Sequence, residues 1–151
     1  MSVEIIINEL LDISKGKYRY LQILLGIEKN LSKSIELDKP QDIVRQIELK
    51  DKYTLEISEL DMKFYTLFNK LKSGLGIDTI EKIKVEKYPQ VKELKKIVGE
   101  ILKLTEEIGT VDNENTQILE KGLETMGNKL RAMKQGGRVS NAYRAHKKIE
   151  K

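Results

Sequence analysis

Apolar and small side chains recur along the chain at alternating steps of four and three, and three long stretches keep that rhythm. In the first, from about Val3 to Glu36, the series is Ile6, Leu10, Ile13, Tyr20, Leu24, Ile27 and Leu31, with Lys17 holding one of its positions. In the second, from Pro40 to about Ser73, it is Ile43, Ile47, Lys50, Thr54, Ile57, Asp61, Phe64, Phe68 and Leu71, widened by Tyr53, Leu60 and Leu67. The third runs from Pro89 to Lys134 through Leu94, Val98, Ile101, Thr105, Ile108, Leu119, Gly122 and Met126. Beside it lies a second row of Leu102, Leu119, Leu123, Met126, Leu130 and Met133. This is the period of a helix with one apolar side, not of a strand. At 1.5 Å per residue the third helix spans about 65 Å, which can be buried only against partners of similar length. The pattern predicts an all-α fold: an elongated antiparallel bundle of three long helices with coiled-coil-like packing.

The breaks between these stretches are equally readable. The residue before a proline disfavours the α region, so Leu37-Asp38-Lys39 ends the first helix and Pro40 suits the first turn of the second. Gly74 and Gly76 end the second helix, one of them in a left-handed cap. Asp78 and Glu81 have the spacing of a capping box, predicting a short connecting helix over residues 79–85 with Ile77, Ile80 and Ile83 plugging one end of the bundle. The economical topology is up, down and up again. Phe64 and Phe68 place the thickest core in the last third of the second helix. Gly16 and Gly26 are costs that helix length and packing absorb.

The apolar series of the third helix fails at Asp112 and Asn115, which occupy positions that should face inward. Either the helix passes beyond its partners or changes its packing face there, or the two residues form a buried polar contact that fixes register. A metal loop is disfavoured, since the spacing of an oxygen-ligand loop is absent.

With 151 residues the chain suits one domain. Its boundaries are a helical bundle over residues 1–134 (helices about 3–36, 40–73, 79–85 and 89–134) and a flexible basic tail over 135–151, opening with Gln135-Gly136-Gly137. An apolar share of 39% against 34% charged residues fits long amphipathic helices with wide solvent faces. The net charge of +4 is unevenly spread: residues 129–151 hold eight Lys or Arg against Glu150 alone, leaving residues 1–128 mildly acidic. The opening Met-Ser-Val-Glu-Ile-Ile-Ile-Asn-Glu lacks the form of a signal peptide, and no stretch is apolar for long enough to cross a bilayer. A cytoplasmic protein without membrane insertion is expected.

Catalytic chemistry has little to work with. There is no cysteine, and the one histidine, His146, stands in the tail. The glutamates fall where helices put solvent-facing carboxylates, and no phosphate loop, nucleophile elbow or zinc motif occurs. The expectation is a protein that is not an enzyme and has no cofactor and no metal. Two binding readings stay open. The basic tail could contact nucleic-acid phosphates, a partner disfavoured by the absence of a stacking platform beyond Tyr143. Alternatively Leu123, Met126, Leu130 and Met133 form a leucine and methionine row that could take an amphipathic helix of another protein, or cover the bundle's own core. Self-association is a further alternative.

The order of features along nearly the whole chain resembles the FlgN-type flagellar export chaperones. The resemblance rests on Leu21-Gln22-Ile23-Leu24-Leu25 with Glu28 and Leu31, then Asp42-Ile43-Val44 leading to Lys50-Asp51 and Leu60-Asp61. Leu94 and Ile101 follow, before Asn115, Leu119, Leu123 and Leu130, and the ending Gln135-Gly136-Gly137-Arg138-Val139-Ser140-Asn141-Ala142-Tyr143 is similar to the tail of Gram-positive members. It implies a cytoplasmic chaperone that holds hook-filament junction proteins, the hook-associated FlgK and FlgL type, before flagellar type III secretion. It also implies that clients meet Leu119, Leu123, Met126, Leu130 and Met133, and that Tyr143 contacts the export gate.

Overall fold

The computed structural model describes residues 2–132, with the side chains of residues 126, 127 and 129–132 outside that description. Three long helices make up almost all of it: α1 (Val3–Glu36), α2 (Pro40–Leu75) and α3 (Val91–Ala132). Among the described residues there is no strand, and no helix is long and apolar enough to cross a membrane. The chain runs up, down and up, an elongated helical bundle in which α1 packs along both α2 and α3.

Local chemistry sets the ends. The Ser2 hydroxyl accepts the Ile5 N–H at 3.3 Å, capping α1, and Glu4 lies in the first turn, where a negative charge meets the positive end of the helix dipole. Asp38 takes a positive φ of 50° in the reversal after α1, a conformation that short polar side chains tolerate, and Pro40 opens α2. The second helix runs through Gly74 and stops at Gly76, whose φ is 65°. There the Ile77 N–H reaches back to the Lys72 carbonyl at 3.2 Å, satisfying an end group of the helix.

The link to α3 departs from expectation. In place of a short helix over 79–85 it holds one 3-10 turn, Ile80–Lys82. Asp78 does not cap it: its carboxylate pairs with Lys82 at 2.7 Å, and Thr79 at the cap position makes no side-chain bond. Residues three apart eclipse on such a turn, which brings Ile80 and Ile83 to one side, and both are buried. Lys95 ties the link to α3 by donating to the Glu81 and Ile83 carbonyls at 3.1 and 3.0 Å. Pro89 lies in a turn just before α3, not in its first turn, and Val91 N–H bonds to the Tyr88 carbonyl at 3.0 Å.

The core has two segments. At the linked end Ile6, Ile7, Leu10 and Leu11 of α1 meet Leu71, Ile80, Ile83, Val91 and Leu94, with Phe64 and Phe68 packed against them. Further along α1, Leu21 and Leu24 meet Ile57, Ile101 and Ile108. Between these segments Lys17 pairs with Asp61 at 2.6 Å, so these two charged interruptions of the apolar series answer one another across α1 and α2. Leu102, given to the second row on α3, is 62% exposed, and Thr54 and Thr105 also face solvent.

Two glycine-to-alanine changes should act in opposite directions. Gly26 is exposed in α1 with nothing within 4 Å of an added Cβ, so Gly26→Ala should raise stability by about 0.5–1 kcal/mol. Gly76→Ala should lower it by about 1–2 kcal/mol, because alanine is strained at a left-handed φ. Urea denaturation midpoints check both signs.

Candidate functional site

Where the second core segment ends, polar side chains from all three helices converge. Glu28 sits on the α1 face that carries Leu21, Leu24 and Leu31 at steps of three and four, and its side chain is wholly buried. The Lys50 ammonium of α2 stands 3.5 Å from Glu28 Oε1 and also pairs with the Asp112 carboxylate of α3. One turn further along α3, the buried Asn115 uses both ends of its amide: Nδ2 donates to the Glu28 carbonyl at 3.0 Å, and Oδ1 accepts from the Ser32 hydroxyl at 2.7 Å. Asp112 and Asn115 therefore both make polar contacts across the helices, Asn115 buried and Asp112 half-buried.

The electrostatics are unequal. Both Glu28 carboxyl oxygens are buried without accepting a hydrogen bond, an expensive setting for a negative charge. Burial first, and then the neighbouring Asp112 carboxylate, push the Glu28 carboxyl up to about 7, against the opposing pull of Lys50. Burial alone would lower the Lys50 ammonium, but Asp112 and Glu28 hold it above its ordinary range. Ionised, the trio has two negative charges for one positive; with Glu28 protonated the charges balance. Among the described residues no group of three acidic, cysteine or histidine side chains is placed to hold a metal.

This contact also fixes how far α3 outruns α1. Ser32 lies opposite Asn115, so Glu36, the last residue of α1, falls level with Leu119, four residues on in each helix. α3 continues to Ala132. Leu119 and Leu123 are half-buried, and Ile118 between the polar node and the overhang is 54% exposed. Positions 126 and 130 lie on the α3 backbone with their side chains outside the description, and Met133 and Tyr143 lie outside the described residues. Leu119 and Leu123 thus share one stretch of α3, at and past the end of α1.

Glu28 and Ser32 are the members of the node that the strict four-three reading misses, because that reading follows Leu24, Ile27 and Leu31. The parallel series Leu21, Leu24, Glu28 and Leu31 contains the signal: one carboxylate on an otherwise leucine face.

In comparison with known proteins, the family model described as FlgN protein matches residues 1–151, the whole chain. No curated protein and no solved structure matches.

The node makes a pH prediction with a definite sign. A carboxyl whose pKa is raised on folding stabilises the fold below its unfolded value, here about 4.5, and that contribution is lost as pH rises to about 7. Chemical denaturation of the parent should show a loss of up to about 3 kcal/mol across that window. Glu28→Gln, which keeps shape and removes the titration, should flatten the profile and be more stable than the parent near neutral pH.

Proposed function

Because this chain belongs to the FlgN family, which implies a flagellar export chaperone, we propose that its clients are hook-filament junction proteins of the FlgK and FlgL type, held in the cytoplasm for flagellar type III secretion. The proposed client surface is the distal end of α3, with Leu119, Leu123, Met126, Leu130 and Met133 as its row. The observation that supports this reading is the overhang: beyond Leu119 the helix has left α1 behind, yet the sequence continues the apolar row. An amphipathic helix that runs on past the end of α1 is suited to take a helical terminus from another protein. Methionine, unbranched and polarisable, suits a surface that must accept more than one partner shape.

Tyr143 is proposed as the contact with the export gate, separate in sequence from the client row. An aromatic ring buries a large amphipathic area with few torsions to fix. The basic residues beyond 129 leave a second reading, contact with nucleic-acid phosphates, whose signature is steep salt dependence.

Truncation must spare the polar node, because removing Asp112 and Asn115 would strip partners from buried Glu28 and Lys50. A chain ending at Glu120 should therefore remain helical and melt cooperatively while losing junction-protein binding by calorimetry; normal client affinity would refute the assignment. Tyr143→Ala should leave client affinity unchanged and reduce the junction proteins secreted into the medium. If that variant secretes like the parent, and tail-dependent binding to DNA or RNA survives near physiological salt, the nucleic-acid reading replaces the gate contact.

A further inference from the structure

The apolar contacts of α3 are unevenly placed. Val91, Leu94, Ile101 and Ile108 are buried, but among the described side chains no apolar residue of α3 after Ile108 is buried. The buried anchor beyond that point is Asn115, with Asp112 half-buried one turn before it. The middle of α3 is thus fastened by polar bonds where its first half is fastened by leucine, isoleucine and valine.

We propose that the node is a proton-operated latch: with Glu28 protonated it holds α3 around Asp112 and Asn115 against α1 and α2, and with Glu28 ionised it releases that stretch. The charged groups facing Glu28 are Lys50 from α2 and Asp112 from α3. The other members, Ser32 on α1 and Asn115 on α3, are neutral at any physiological pH. Ionising Glu28 leaves an excess negative charge around a side chain with no exposed surface. Lys50 cannot neutralise both carboxylates at once. Glu28 cannot leave without unpacking the leucine face of α1. Asp112 can: its side chain is already 39% exposed, and few buried apolar contacts hold its neighbourhood. Relief therefore comes by moving α3 outward, which hydrates Glu28 and frees Asp112. The inference concerns this chain alone and stands whichever client it carries.

The test uses the full chain, whose lack of cysteine allows site-directed spin labels. Nitroxides at Lys33→Cys and Gln117→Cys, both exposed and on facing helices, report the α1–α3 separation by pulsed electron resonance. At about pH 6 one short, narrow distance is expected. By about pH 8.5 the ratio of separated to docked molecules should rise about tenfold, the change that follows from a carboxyl titrating near 7 when docked and near 4.5 when released. Glu28→Gln in the same labelled chain should show the short distance at both pH values. An unchanged ratio in the parent overturns the latch, as does a full pH response in Glu28→Gln. Should that variant fail to fold, Asp112→Asn decides: a reduced response supports the latch and an undiminished one overturns it.

Discussion

A wholly buried carboxyl two turns before the end of α1 sets the terms for the rest of the bundle. Leucine and isoleucine contacts are non-directional, and a long helix lined with them can slide along its neighbour by a turn or two with small loss. Asn115 cannot slide, because its amide bonds the Glu28 carbonyl on one side and the Ser32 hydroxyl on the other. Lys50 adds α2 to the same fixed point. Polar groups buried in a helical interface commonly cost stability while specifying register. Here the cost falls on Glu28, whose charge is the least well satisfied in the cluster.

From that fixed point the layout of the molecule follows. Toward the linked end the core thickens, closed by Ile80 and Ile83 and by the ties from Lys95. Away from it the apolar filling thins, and α3 runs on past α1. The bundle therefore has a well-anchored end and a sparsely anchored one. A chaperone that must stay folded while giving up a helical surface to a client has use for that asymmetry, and the proposed client row lies on the sparse side.

Much of this was legible from residue order. The four-three rhythm, Pro40 and Gly76 carry the three helices and their sense, because each is a local signal with a local cause. The charged and polar interruptions were legible as interruptions, but not as pairs. Lys17 answers Asp61, and Lys50 answers Asp112, only once the helices have a register, which depends on the whole interface. Glu28 hid because Ile27 beside it completes an equally good series. The link misled for a different reason: the capping-box spacing of Asp78 and Glu81 is a local preference, and burial of both Ile80 and Ile83 outweighed it. Of the candidate site, position along α3 was readable for Leu119 and Leu123, while their relation to the end of α1 required the contact between Ser32 and Asn115.

The central claim, that a poorly satisfied carboxyl joins the three helices, is tested most directly by titrating it. Side-chain carboxyl carbon shifts, followed by NMR in uniformly labelled protein with Glu28→Gln identifying the resonance, give its midpoint without perturbing the parent chain. The account predicts a midpoint near 7, well separated from the other glutamates. A Glu28 midpoint at the ordinary glutamate value, near 4.5, would contradict it, because a carboxyl that ionises so readily cannot be buried without compensation between Lys50 and Asp112.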